Sequence, residues 1–316
     1  MGQGTLGHVG RASWCAAVLL VAAAGGASAQ GLAVLAARAD TAEQQQRFGD
    51  AAKIYEAAYA QSGFQPLMLA LAAGDAARAG LADSAFRDLN RAVDEGFLDD
   101  GYFTRDSDTF VLHRDARWPA LEAKLLARRA ALDSGLRQEL LTLADQDQAS
   151  RQGVGEFMQR HGSSSREGDS ALRALAAADA PRLERIKAIV AAHGWPGRRL
   201  VADDGAHAAW LLVQHAPFAY QQQVLPLLLA ALRADDVRAG DVALLQDRVL
   251  VGEGKPQLYG SQARYPVHAG PPVLDSISDE ACVDVRRASV GLGPLAEYLQ
   301  TLGVTYAGPP GVCRRP

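Results

Sequence analysis

The sequence is poor in cysteine and in aromatic residues, and it lacks the short motifs by which many enzymes are recognised. Three cysteines and 6% aromatic residues in 316 residues exclude a disulfide-rich scaffold. No H-E-x-x-H, C-x-x-C or G-x-S-x-G occurs, so nothing predicts a zinc peptidase, a thioredoxin-like redox protein or an α/β-hydrolase. Gly252–Pro256 and Gly291–Ala296 match nucleotide-binding glycine motifs only in part, and they lack the flanking context. We therefore expect no cofactor.

Basic runs and long apolar runs are also missing. The 32 Lys and Arg residues are outnumbered by 36 Asp and Glu residues, a balance that does not favour binding to nucleic acid or to an anionic membrane. The apolar runs Ala16–Ala24 and Val224–Leu232 are shorter than the roughly 20 residues that a transmembrane helix needs. We expect neither a nucleic-acid partner nor a stable membrane anchor.

The N-terminus has the three parts of a secretory signal peptide. Arg11 supplies a positive charge, Ala16–Ala24 is the apolar segment, and Ala27–Ala29 has the small residues of a cleavage site. The alternative is an ordinary buried first helix. We expect residues 1–29 to be removed, which leaves 287 of the 316 residues and a net charge of −5, because one basic residue is lost. The mature protein would be periplasmic or secreted.

Removal of the signal peptide leaves two cysteines, Cys282 and Cys313. In an oxidising compartment they can form a disulfide that closes a loop over the C-terminal helices. The alternative is two unrelated thiols, one of them buried. Export favours the disulfide.

The residues from 30 to 133 predict helical repeats. Only two of the 14 prolines precede Pro181, so helices can run uninterrupted in this half. Small and large residues recur at a spacing of 34, which resembles the second helix of a tetratricopeptide repeat. Approximate units are Gly31–Phe64 and Gln65–Asp99, and a helix from Trp118 would cap them. A plain helical bundle is the alternative. The repeated residues are Ala51, Tyr55 and Ala58, followed by Ala85, Leu89 and Ala92.

The residues from 134 to 316 predict a second, mainly helical domain. One helix is predicted to start at Asp179 and Pro181 and another at Asp203 or Asp204. Arg248–Val251 is predicted as a strand, paired through a glycine-rich turn with Gln257–Gln262. The predicted fold class is therefore mainly α, with tetratricopeptide-like helical hairpins followed by a helical domain with one small β-hairpin.

Polar side chains that suit a site are concentrated between His193 and Gln262. Histidine moves protons near neutral pH, arginine binds carboxylate or phosphate, and glutamine and tyrosine orient a ligand. Asp247 would orient His215 or pair with Arg248. The alternative is a buried network that locks the hairpin onto the helices. The candidate catalytic residues are His215, Arg248 and Tyr259, and the candidate ligand-binding residues are Gln214, Asp247, Gln257 and Gln262.

A metal site is not expected. His207 and His215 lie on one predicted helix, about 12 Å apart along its axis, so they cannot bind the same ion. We expect the helix His207–His215 to lie against the hairpin, because both have apolar residues that need cover.

Several short motifs resemble, in order, an uncharacterised bacterial family of unknown function. The resemblance covers about Leu136–Leu302, and its most specific stretch is G-K-P-Q-L-Y-G-S-Q, in which Ser261 replaces the usual threonine. It implies a compact, mostly helical domain attached to varied partners, and it implies no activity. The other matching residues are Asp147, Gln148, Arg151, Gly194–Pro196, Gln214–His215, Asp247–Arg248, Pro271–Asp275, Arg286–Arg287 and Gly291–Leu292.

Two functions are compatible with the sequence. The first is a binding or scaffold protein, whose helical repeats present a groove to another envelope protein or a peptide. The second is an envelope hydrolase or transferase with His215 as general base and Arg248 holding an anion. The first needs no polar site in the C-terminal domain, whereas the second requires an open one.

Overall fold

The protein is mainly α-helical, as expected from the sequence. The computed structural model describes residues 26–61, 65–105, 108–161, 166–264, 272–304, 306–308 and 311–313. These residues form thirteen α-helices and one antiparallel sheet of two short strands. The predicted signal peptide lies outside the described residues except for its last four positions, which begin the first helix. No helix in the described part of the chain is both long and apolar enough to cross a bilayer.

The N-terminal half, residues 26–130, is a series of helices in which each of the first four packs on its neighbour in sequence and the last packs on the fourth. Proline at the first helical position starts α3, where its missing N–H has no helical partner to lose. The helices are α1 (Gly26–Gln44), α2 (Phe48–Gln61), α3 (Pro66–Arg78), α4 (Ala82–Asp94), α5 (Asp100–Arg105) and α6 (Trp118–Ala130), with a 3-10 turn at Phe110–Arg114.

The residues that recur at a spacing of 34 face the core of this half. The helices that carry them, α2 and α4, begin at Phe48 and Ala82, which are 34 residues apart. The alanines of each set let a neighbouring helix approach closely, and the large residue fills the groove. All six are buried: Ala51, Tyr55, Ala58, Ala85, Leu89 and Ala92. The assignment to tetratricopeptide repeats remains a prediction.

The C-terminal half, from residue 134 onward, is organised around α9. Six of its last seven residues are apolar and all seven are buried, as expected of a helix surrounded by others, and α9 packs against α7, α8, α10 and α11. The elements are α7 (Ser134–His161), α8 (Arg166–His193), α9 (Arg198–Gln214), α10 (Phe218–Arg233), α11 (Ala239–Gly252), β1 (Ala263–Arg264), β2 (Val273–Leu274), a 3-10 turn (Glu280–Cys282), α12 (Val283–Ser289) and α13 (Leu295–Thr301).

The small sheet is not where the sequence places it. Arg248–Val251 belongs to α11, and the strands pair Ala263 with Leu274 and Arg264 with Val273. The glycine-rich stretch predicted as a hairpin turn instead ends α11: the Lys255 N–H donates to the Leu250 carbonyl, with Gly254 at a φ of +72°. This is a glycine helix stop, which has the same residue signature as a tight turn. The predicted strand was therefore wrong.

One predicted helix start was also wrong, and the other coincides with a kink. Helix α8 runs through Pro181 without ending, so Asp179 does not begin it. Helix α9 is interrupted at Val201 and Ala202, and regular helix resumes at Asp203. Ala202 has a φ of +60° and a ψ of 177°, a conformation that costs a residue with a side chain on the order of 1–3 kcal/mol.

The two halves are in close contact at this kink. A Cβ atom on Gly96, which follows α4, would lie 2.9 Å from the backbone nitrogen of Asp203, so only glycine allows this approach. The two ends of the chain also meet, because α13 lies against α1. A disulfide joins Cys282 to Cys313 and ties the C-terminal tail to the start of α12.

Candidate active site

His215 directly follows α9 and is held by a buried carboxylate from α7. Its Nδ1 atom lies 2.6 Å from Oδ2 of Asp147, whose side chain is only 3% exposed. A carboxylate accepts hydrogen bonds, so Nδ1 carries the proton and Nε2 is left as an acceptor. Among the described residues, Nε2 has no hydrogen-bond partner. The aspartate thus fixes both the orientation and the tautomer of the imidazole.

Arg151 lies one helical turn after Asp147 and holds the same carboxylate. Its Nε atom is 3.0 Å from Asp147 Oδ2, and its Nη2 atom is 3.0 Å from Oδ1. Nε is also 2.8 Å from His215 Nδ1, but two donors cannot bond each other, so the carboxylate is the acceptor for both. Burial raises the pKa of Asp147, but the hydrogen bonds from His215 and Arg151 outweigh it and lower the pKa below the ordinary value.

Helix α8 contributes a second ion pair to the same place. Arg182 Nη2 donates to Asp179 Oδ1 at 2.7 Å, and Asp179 Oδ2 accepts from Arg151 Nη2 at 3.0 Å. The Nε atom of Arg182 is buried and makes no hydrogen bond within the described structure. Two carboxylates and two guanidinium groups therefore surround His215 in one connected network.

These side chains line an open pocket of about 320 Å³ between α7, α8 and α9. Its remaining walls are apolar or carry small side chains, so the charged groups are concentrated on one side. The lining residues are Asp147, Arg151, Ala176, Asp179, Ala180, Arg182, Leu183, Leu212, His215, Ala216 and Pro217. None of them is a serine, threonine, cysteine or lysine.

Arg248 and Gln262 form a separate contact on the other side of the chain at Gln214. Arg248 Nη1 donates to the Gln214 carbonyl at 2.7 Å, and Arg248 Nε donates to Gln262 Oε1 at 3.3 Å. Gln214 thus meets the segment 257–262 through Arg248, in the general position expected from the sequence. His215, the next residue, turns toward α7 and α8 instead.

Two of the predicted ligand-binding residues are fully enclosed. Asp247 accepts from the backbone N–H groups of Leu258, Tyr259 and Ser261 at 2.7–3.1 Å, and it neither orients His215 nor pairs with Arg248. The Gln257 amide donates to the carbonyls of Gln262 and Asp275, both at 2.9 Å, and its Oε1 accepts from the Gln262 N–H. Both side chains stabilise the conformation of the loop, in agreement with the alternative interpretation of these polar residues as a buried structural network.

Tyr259 is half-buried beside this loop. Its backbone N–H donates to Asp247, its carbonyl accepts from Arg287 Nη1 at 2.6 Å, and burial raises the pKa of its phenol. Tyr259 does not line the pocket of His215. The three predicted catalytic residues therefore lie in different places, and only His215 faces an open pocket.

The family model that matches this chain covers residues 134–308, more than half of its length. The chain belongs to DUF6624, a family of unknown function. No curated protein and no solved structure matches the chain.

The DUF6624 domain includes every predicted site residue apart from Cys313. Two residues of the pocket, Asp179 and Arg182, were missed from the sequence, where Asp179 was interpreted as a helix cap. Their spacing of three residues puts them on one helix face, and Asp147 and Arg151 are similarly spaced by four. Within the residues that the structure describes, no three His, Cys, Asp or Glu side chains form a metal-binding cluster.

Proposed function

We propose that the DUF6624 domain is an enzyme of the hydrolase or transferase type, with His215 as its general base. The observation that supports this most directly is the imidazole in the pocket wall, held through Nδ1 by buried Asp147. A neutral histidine with a free Nε2 can accept a proton from a water or hydroxyl group, and such catalysis contributes roughly 10²–10⁴-fold.

The lining of the pocket indicates the source of the nucleophile. It contains no serine, threonine, cysteine or lysine, and both of its aspartates already accept hydrogen bonds from arginine, so no side-chain hydroxyl, thiol or amine is available there as a nucleophile. A proton taken by His215 would therefore come from water, in a hydrolysis, or from a substrate hydroxyl, in a transfer. Arg151 and Arg182 also line the pocket and donate only some of their N–H groups to the aspartates, and the remaining ones would orient the group under attack.

The test is hydrolysis of simple chromogenic esters by the protein without residues 1–29. p-Nitrophenyl acetate and p-nitrophenyl phosphate report acyl and phosphoryl transfer, respectively. We expect His215→Ala to lower kcat/KM at least 100-fold for the ester that is hydrolysed, with an unchanged circular dichroism spectrum. The matched control is His207→Ala, because His207 also bonds an aspartate, Asp241, at 2.8 Å but lies outside the pocket. Equal rates for wild type and His215→Ala, including no turnover by either, would contradict the proposal.

We also propose that the protein is exported and that its helical repeats bind another envelope protein or a peptide. A second open cleft, larger than the pocket of His215, supports the second point. It has a volume of about 560 Å³ and is lined by both halves of the chain. Apolar residues from the N-terminal half, such as Leu67 and Leu98, face Arg137 and Arg238 from the C-terminal half across it. Grooves between helical hairpins commonly hold extended peptides.

Both points can be tested in cells. Intact mass of protein from the envelope fraction should correspond to a chain that begins at Gln30, and a species that retains residues 1–29 would contradict export. A photoreactive residue at Leu67 or Leu132, both in the cleft, should give a discrete cross-linked product. The same residue at exposed Leu172, on α8, is the control, and identical products from both positions would rule out the cleft.

A further inference from the structure

The two guanidinium groups in the pocket of His215 have more hydrogen-bond donors than the neighbouring carboxylates use. Arg151 donates from Nε and Nη2, and Arg182 donates from Nη2 alone. A guanidinium group carries N–H donors on every one of its nitrogens. Among the described residues, no acceptor bonds Nη1 of Arg151 or the Nε and Nη1 of Arg182. The pocket is therefore short of acceptors.

Arg182 depends most on a further acceptor. Its side chain is only 10% exposed, against 26% for Arg151, so water reaches little of it. It bonds Asp179 at 2.7 Å, whereas its Nε lies 3.9 Å from Asp147 Oδ1, which is too far for a hydrogen bond. A charged group that is withdrawn from water with unused donors is unfavourable. A ligand that brings acceptors to Arg182 would remove this cost.

Arg151 and Arg182 are close enough to bind one ligand group together. Asp179 bridges them, because its Oδ2 accepts from Arg151 at 3.0 Å and its Oδ1 accepts from Arg182 at 2.7 Å. Both arginines line the same pocket as His215. A second oxyanion in this pocket could therefore accept from both guanidinium groups and lie within reach of the proposed general base.

An oxyanion fits these donors better than a neutral acceptor does. The planar guanidinium group forms two parallel hydrogen bonds with a carboxylate or phosphate, and such charge-assisted bonds are about twice as strong as neutral ones. Asp147 and Asp179 balance the charges of Arg151 and Arg182, so the selection comes from the unused donors and not from a net positive charge. A neutral amide of the same shape is therefore the decisive comparison.

The rest of the pocket wall is apolar. Leu212 is buried and Leu183 is half-buried, and Ala180 and Ala216 add a surface without polar side chains. A ligand whose oxyanion bonds the arginines would lay its remaining atoms on this wall, where removal of apolar surface from water stabilises the complex. The volume of about 320 Å³ is at the lower end of the range for small-molecule pockets, so the ligand is small.

We infer that Arg151 and Arg182 form an oxyanion subsite in the pocket of His215, and that the substrate is a small molecule with a carboxylate or phosphate next to an apolar group. The word substrate rests on the proposed function, whereas binding at the subsite can be tested without turnover. The inference assigns Arg182 to binding and His215 to proton transfer.

The experiment is calorimetric titration of the protein without residues 1–29, at constant ionic strength, with sodium benzoate and, separately, sodium phenyl phosphate. We expect at least one of these anions to bind with a Kd in the millimolar range or below. Benzamide, which has the shape of benzoate without its charge, should bind at least about 10-fold more weakly than that anion. Acetate and inorganic phosphate lack the ring and should bind at least about 3-fold more weakly than their phenyl counterparts. Equal affinity with and without the ring would overturn the apolar part of the inference.

Variants of Arg182 locate the binding. Arg182→Gln should weaken binding of the anion at least about 10-fold, and Arg182→Lys, which keeps the charge but not the fork, at least about 3-fold. Arg185→Gln is the matched control, with unchanged binding. Arg185 is also on α8 and also pairs with a carboxylate of α7, that of Glu139, but it lies outside the pocket.

His215→Ala separates this inference from the proposed function. It should abolish ester hydrolysis yet keep anion binding within about 3-fold of wild type, because both arginines remain. Binding of benzoate alone or phenyl phosphate alone identifies the anion class. The inference is overturned if neither anion binds, if benzamide binds as tightly as the anion, or if both Arg182 variants, folded by circular dichroism, bind as tightly as wild type. Should Arg182→Gln not fold, Arg182→Lys decides the question.

Discussion

Two polar clusters lie on opposite sides of the end of α9, and they differ in how completely their hydrogen bonds are satisfied. Around Asp247 and Gln257, each carboxylate or amide oxygen accepts from a backbone N–H within the loop 257–262. Around His215, the imidazole Nε2 and the Nε of Arg182 have no hydrogen-bond partner among the described residues, although this Nε lies 3.9 Å from Asp147 Oδ1. The first, the closed cluster, holds the chain, and we propose that the second, the open cluster, meets a ligand. Residue type alone does not distinguish them, because both consist of the same kinds of side chain.

The largest effect that this comparison predicts comes from Asp247→Ala. Three backbone N–H groups, those of Leu258, Tyr259 and Ser261, lose their acceptor, and a buried unsatisfied group costs about 1–3 kcal/mol. We expect the free energy of unfolding to fall by at least about 3 kcal/mol in urea titrations. His215→Ala, at the open cluster, should cost about 1 kcal/mol because Arg151 still bonds Asp147. A similar loss in the free energy of unfolding for both variants would contradict the distinction between the two clusters.

A comparable effect is expected from the disulfide, which joins the start of α12 to the C-terminal tail. Cys282 and Cys313 are 31 residues apart, and a loop of that length adds about 3–4 kcal/mol in the chain-entropy model. The double variant Cys282→Ser/Cys313→Ser should unfold at a lower temperature by scanning calorimetry, while its rate of ester hydrolysis stays unchanged. A reducing agent should lower the melting temperature of wild type but not that of the double variant, which is the control. Loss of hydrolysis would show that the disulfide also supports the pocket of His215.

The smallest effect is a pH dependence that belongs to the open cluster. The folded-state pKa of Asp147 is lowered, so its contribution to stability is present above the unfolded pKa, near 4, and is lost as pH falls below it. Asp147→Asn cannot titrate. We expect the stability gap between wild type and Asp147→Asn, from urea titrations, to be constant from pH 7 to pH 5 and to narrow from pH 4 to pH 3. If this difference in the free energy of unfolding widened as pH falls, the pKa of Asp147 would be raised in the folded state instead of lowered.

The helical class and the buried positions of the N-terminal half could be predicted because both follow from local periodicity. Tyr55 and Leu89 are core residues, and their burial does not depend on how the surrounding helices are arranged. The strand prediction at Arg248–Val251 rested on valines, which have high β-propensity. It was wrong because Leu245 and Val249, four residues apart, bury one face of a helix, α11. A glycine stop and a hairpin turn have the same residues, so the sequence could not separate them.

The candidate site was predicted in part. His215 was identified by its residue type, but its partner Asp147 lies 68 residues earlier in the chain. No spacing rule connects the two, because their contact depends on how α7 packs against α9. Asp147 and Arg151 entered only through the resemblance to the family. Asp179 was misread because a capping residue and a site residue have the same side chain, and only the continuation of α8 through Pro181 separates the two.

Helix α9 has one end in each of the two clefts. Asp203, just after the kink, lines the cleft between the halves, and His215 lines the pocket of the open cluster. The twelve residue steps from Asp203 to His215 span about 18 Å of helix. An α-helix is stiff along its axis, so a shift of one end is carried to the other with little loss. The molecule therefore contains a rigid rod that links the two openings, with the strained backbone at Ala202 at the end nearer the cleft between the halves.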